Sequence, residues 1–165
     1  MVMSHDPAVA EAPMRWRDDY LLGYAAMDAT HQEFVQCVAA LQTAADAELP
    51  ARLAEFAQHA EAHFGQEEQW MRTTGFPAAQ CHADEHAAVL GSVREVQALL
   101  QLGAAQQVVR DLTQALADWF PGHADYMDAA LSHWMSKRAH GGAPVVLKRR
   151  VAKSSSEPSN ETRSS

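Results

Sequence analysis

PARLAEFAQHAEAHFGQEEQWMRTTG, residues 50–75, decides the fold. Pro50 can open a helix, because the N–H it lacks is one that a first turn leaves unpaired anyway, and Gly75 can close it. Between them Leu53, Phe56, Ala60, His63, Glu67 and Met71 recur at three- and four-residue steps and line one helical face. Two positions of that apolar stripe therefore hold a titratable group where a core would take leucine. Burying such a group without a partner costs a few kcal/mol, so partners are expected on neighbouring elements.

The same pattern continues on both sides. Upstream, His31, Phe34, Val35, Val38 and Leu41 form a stripe, with Thr30 and Glu33 at capping-box spacing, which predicts a helix over 28–46. Downstream, Pro77 opens a third helix whose inward positions are His82, His86, Val89, Val93, Val96 and Leu100, ending near Gly103. A fourth carries Leu112, Leu116, Trp119 and His123 and continues through Asp128 and Leu131 to about Arg138. No alternating strand pattern of useful length occurs, and the short connections favour antiparallel neighbours. The expected fold is all-α, an up-down-up-down four-helix bundle over residues 26–138. Residues 1–25 are expected to form an arm over it, anchored by Trp16 and Tyr20.

Each predicted helix thus contributes polar groups to the inside: His31; His63 and Glu67; His82 and His86; His123 and Asp128. Residues four apart sit about 40° apart around a helix and 6 Å along it, so His82 and His86 can reach one metal ion. His63 and Glu67 have the same relation, and a carboxylate there can span two ions. His123 and Asp128 are five apart, about 140° around a regular helix, which suits a carboxylate reaching sideways between two ions better than a shared terminal site. Taken singly, such pairs are weak signals in a chain with nine histidines. Their occurrence on all four helices is the informative fact.

The segments DATHQ (28–32), HFGQEEQWM (63–71), HADEH (82–86) and WFPGHADYMD (119–128) resemble the hemerythrin family in its bacterial form, in order, from about Trp16 to Arg138. The resemblance implies two iron ions joined by an oxo or hydroxo bridge. It implies that His82, His86 and His123 ligate one, His31 and His63 the other, and that Glu67 and Asp128 bridge them. Reversible dioxygen binding on the two-histidine side is the implied activity, as a carrier, store or delivery protein rather than an enzyme. An oxygen or redox sensor, or a diiron enzyme acting on peroxide or nitric oxide, is the alternative. Phe34, Phe64, Trp119 and Phe120 are candidates to keep water from the oxygen pocket, against ordinary core packing.

Two features depart from the family pattern. Pro121 and Gly122 directly precede His123, and a bend or break is expected between Ala117 and His123, since Pro121 cannot donate to the Ala117 carbonyl and crowds it. His59 stands one turn before His63, as an eighth ligand or as a group behind the ligands. His5, His133 and His140 are given no role.

Composition limits the remaining classes. The cysteines, Cys37 and Cys81, are far apart in sequence and offer no disulfide framework. The net charge is −8, but seven Lys/Arg against two Asp/Glu from Lys137 onward leave −13 on the body, which should repel nucleic acid. No signal peptide and no stretch able to insert in a membrane is read, so a cytoplasmic monomer is expected. Residues 139–165 are expected to be a basic, then Ser-rich, disordered tail. Its PVVLKRRVAK stretch is either a contact patch for an acidic partner or membrane surface, or simply solvated.

Overall fold

A computed structural model of the protein describes residues 12–140. Four helical rods make up the body: α1 (Ala25–Thr43), α2 (Leu49–Thr74), α3 (Ala79–Gln101), and a fourth composed of α4 (Gln107–His123), a π turn (Ala124–Asp128) and α5 (Ala129–Ala139). α1 packs on α2, α2 on α3, α3 on α4, and α4 closes back on α1. This is the four-helix bundle expected from the sequence. Among the described residues no helix is long and apolar enough to cross a membrane. The expected tail beyond His140, and His5 with the start of the arm, lie outside the described residues.

The ends of α2 follow from its sequence. Pro50 sits in the first turn, and Gly75 adopts a left-handed φ of 66° that lets the amide of Phe76 return to the Met71 carbonyl. α3 begins at Ala79, two residues after Pro77. The start of α1 differs from expectation. Thr30 does not cap it; its hydroxyl donates back to the Ala26 carbonyl, and the helix starts a turn earlier, at Ala25. The stronger first-turn acceptor is Asp28, whose carboxylate takes the amides of Leu22 (2.7 Å) and Gly23 (3.1 Å) near the positive end of the helix. Ser132 donates to the Leu22 carbonyl, so the same short segment is tied to α5. Tyr20 meets Phe120 edge-on at 5.6 Å and Trp16 meets Tyr20 likewise.

The apolar interior is in two parts. One cluster includes Phe34, Val38, Leu53, Phe56, Phe64, Val93, Leu116 and Phe120; the other is Met27, Met71 and Leu131 with their neighbours. On α1, α2 and the fourth rod, the polar residues of the stripe fall between a member of one cluster and a member of the other. The polar layer is thus enclosed at both ends by hydrocarbon.

The fourth rod corrects a second expectation. α4 runs as an α-helix through Pro121 to His123, and no break lies between Ala117 and His123. A proline's fixed φ suits a helix, and the loss is confined to one donor and a crowded carbonyl. The irregularity comes immediately after, in the π turn. Leu116, Phe120, Ala124, Asp128 and Ser132 are all buried. On a regular α-helix each step of four overshoots by about 40°. Closing hydrogen bonds five residues apart takes each residue around the axis by less, which keeps this run on one face and brings His123 and Asp128 towards the same side.

Because a π turn accommodates one residue more than an α turn, deleting the exposed Tyr126 should convert it to α-helix and leave Asp128 facing inward. Helix content and metal binding should survive. Deleting Asp118 from regular α4 should rotate the following residues by about 100° relative to those before it and abolish metal binding. Circular dichroism and metal analysis of both deletions check this; loss of metal in the Tyr126 deletion would show that the π geometry itself is needed.

Candidate metal centre

His31, His63, Glu67, His82, His86, His123 and Asp128 all meet in the layer between the two apolar clusters, each at most 5% exposed. Their donor atoms form two groups, His31, His63 and Glu67 on one side, and Glu67, His82, His86, His123 and Asp128 on the other, either able to hold a metal ion. Glu67 belongs to both.

The carboxylates divide their oxygens between the sides. Glu67 Oε1 lies 2.9 Å from His63 Nε2 and 3.5 Å from His31 Nε2, while Oε2 lies 3.2 Å from His86 Nε2 and 3.4 Å from His82 Nε2. Asp128 Oδ2 is 3.1 Å from His31 Nε2, and Oδ1 is 2.9 Å from His82 Nε2 and 3.2 Å from His123 Nε2. All five imidazoles present Nε2 to the centre.

A hydrogen-bonded core would be built otherwise. His31 Nε2, His82 Nε2, Glu67 Oε2 and Asp128 Oδ1 are buried and close to opposite partners, yet none makes a well-directed hydrogen bond. His86 Nε2 and His123 Nε2 face each other at 3.2 Å. Such a meeting of lone pairs is repulsive unless a proton or cation lies between them. The donor set, imidazole nitrogen and carboxylate oxygen with no thiolate, suits a divalent first-row metal. These residues fit a pair of metal ions.

Protons compete for the same lone pairs. Burial alone would push His31 and His82 down, but the carboxylates of Asp128 and Glu67 close beside them override it and raise both to about 9. Burial would raise Glu67, but His31, His63, His82 and His86 hold it well below the usual carboxylate range. Asp128, opposed by burial and by the Glu67 charge, is held low by His123, His31 and His82. Burial, ahead of its neighbours, depresses His86.

The sign of the pH dependence follows for protein stripped of metal by a chelator. A histidine whose folded pKa is raised gives its full stabilisation below its unfolded value of 6.5 and loses it as pH rises through about 9. The melting temperature of the metal-free protein should therefore fall between pH 6.5 and 9.5, as thermal denaturation can measure. A flat or rising profile across that window would contradict the assignment of His31 and His82 as protonated partners of the carboxylates.

The four aromatic candidates surround the layer unequally. Phe34 and Phe120 stack at 4.7 Å; Phe120 meets His31 edge-on at 5.3 Å, and Phe34 meets His63 at 6.1 Å. Phe64 lies parallel to His86 at 4.0 Å and touches His63 at 5.2 Å. Trp119 stacks on His123 at 4.3 Å, on the three-histidine side. His59 stands outside both metal groups. Its ring is 5.4 Å from His63, Nδ1 is 3.6 Å from Glu33 Oε2, and burial, with the charges of His63 and His31, pushes it down to about 4. His133 and His140 are exposed.

Sequence reasoning passed over Glu85, whose Oε2 lies 2.8 Å from His123 Nδ1. Its position inside HADEH, one residue before His86, was the available signal.

Comparison with known proteins agrees with this geometry. The family described as Hemerythrin HHE cation binding domain matches residues 22–134. A bacteriohemerythrin from Ralstonia nicotianae is 35% identical over 125 residues, covering 76% of this chain and 90% of that protein.

Proposed function

The chain belongs to the hemerythrin family, and on that premise we propose that its buried centre holds two iron ions and binds dioxygen reversibly. His82, His86 and His123 hold one ion and His31 and His63 the other, with Glu67 and Asp128 joining them. The observation that carries the reading is the division of each carboxylate: one oxygen of Glu67 and one of Asp128 face each histidine group. A carboxylate serving a single ion has no need of that arrangement.

Two ferrous ions bound there supply the two electrons that reversible dioxygen binding requires. The residues supply the rest. One side has three imidazoles and the other two, so the side of His31 and His63 is the one where a small ligand can join. Phe34, Phe64 and Phe120 line that side and would keep water from it. Five neutral imidazoles against two carboxylates leave the centre less anionic than one built on four carboxylates, which opposes high-valent iron and favours simple release of the ligand. Bound oxygen is thereby held rather than consumed.

The reading is tested by the visible spectrum of the reduced, iron-loaded protein through alternating air and argon. Colour that appears in air and vanishes under argon over repeated cycles is the expected result. Irreversible bleaching, or turnover of added peroxide or nitric oxide, would place the chain with sensors or diiron enzymes instead.

A further inference from the structure

The clustered histidines are not anchored alike. The Nδ1 atoms of His31, His63, His82 and His86 are buried without a hydrogen bond. His123 Nδ1, by contrast, lies 2.8 Å from Glu85 Oε2, a contact that crosses from α3 to α4. The comparable approach of Glu68 Oε1 to His86 Nδ1 is 3.6 Å, too long for a hydrogen bond.

His123 is also the ligand position with the least regular backbone around it. It follows Pro121, which donates no backbone hydrogen bond, by two residues, and it is the last residue before the π turn. A side-chain tie to a regular helix compensates for what the local backbone lacks. The Trp119 ring stacked at 4.3 Å fixes one face of the imidazole, but stacking does not select a tautomer. A carboxylate does: it only accepts, so a proton must sit on Nδ1, and with a metal ion in the centre Nε2 would be left its lone pair for that ion, beside Asp128 Oδ1 at 3.2 Å.

We infer that Glu85 is the positioning residue of the three-histidine side: it holds His123 in the Nδ1–H tautomer, aims Nε2 into the centre, and through its charge strengthens that nitrogen as a donor. This rests on the diiron reading of the centre for its consequences, though not for the tautomer. Carboxylates behind ligating histidines commonly change metal affinity by about 10–100-fold.

Two variants separate the parts of the claim. Glu85→Gln keeps an oxygen acceptor without the charge; Glu85→Ala removes both. In metal-free protein labelled with ¹⁵N-histidine, His123 Nδ1 should carry a proton in the wild type and Glu85→Gln, whereas in Glu85→Ala the proton should sit on Nε2, where Asp128 Oδ1 accepts it. In iron-loaded protein, release to a chelator should be about tenfold faster or more in Glu85→Ala and within a few-fold of wild type in Glu85→Gln. The midpoint potential of Glu85→Gln should rise, because a negative charge that favours the oxidised centre is gone. An unchanged tautomer together with unchanged iron release in Glu85→Ala would overturn the inference. If the wild type takes up no iron, the diiron reading fails while the tautomer measurement still decides the role of Glu85.

Discussion

Replacing Glu67 with alanine is expected to strip both iron ions from the protein. Glu67 is the one residue common to both groups of donors, with Oε1 towards His31 and His63 and Oε2 towards His82 and His86. Its removal takes a ligand from each ion and the negative charge that offsets both. The loss extends to the metal-free fold, because four buried imidazoles lose their counter-charge, and breaking a buried ionic cluster from one side typically costs about 3–5 kcal/mol. Iron content near zero and a clearly lowered denaturation midpoint are the expected readings. A Glu67→Ala protein that retained one tightly held iron would show that the carboxylate does not join the two sides.

His82→Ala is expected to act on one side only. His82 Nε2 is the 2.9 Å partner of Asp128 Oδ1 and shares Glu67 Oε2 with His86, so its loss leaves the other donors of that side buried and incomplete. Iron content should fall to about half, with the remaining ion on the side of His31 and His63, and the bundle should be less stable than wild type. His133→Ala removes an exposed histidine from α5 and should change stability by less than about 0.5 kcal/mol and iron content not at all. If His82→Ala matched that control in iron content and melting temperature, His82 would not be a ligand.

Much of the fold and of the centre is legible in the amino-acid sequence. Pro50 and Gly75 bound α2 because both act through backbone chemistry that is local to them. The seven polar residues can be gathered from four helices because each interrupts an apolar stripe at helical spacing, and the structure does bring them together. The start of α1 is not legible in this way. Thr30 and Glu33 have capping-box spacing, whereas the acceptor that matters, Asp28, is satisfied by the amides of Leu22 and Gly23, in a segment with no periodicity to read. Glu85 escapes the sequence for a related reason. It stands beside the apolar stripe of α3, and its importance comes from the approach of α4, which no spacing within one helix reveals.

The fourth rod is the most instructive case. Pro121 draws attention as the strongest local breaker, but a single lost donor is a cost the helix absorbs in place. The signal for the π turn is instead the spacing itself. Inward positions at 116, 120, 124, 128 and 132 step by four throughout, and a regular helix cannot keep such a run on one face. The five-residue interval from His123 to Asp128, which on a regular helix demands a sideways reach, is the interval that a π closure spans.

The central claim, that one cluster of seven residues holds two ions, is tested most directly by counting metal. Protein reconstituted anaerobically with ferrous iron and freed of excess should retain about two iron ions per chain, because the donors form two groups sharing Glu67 and neither group alone accounts for all of them. Retention of a single iron per chain, with all seven residues intact, would contradict it.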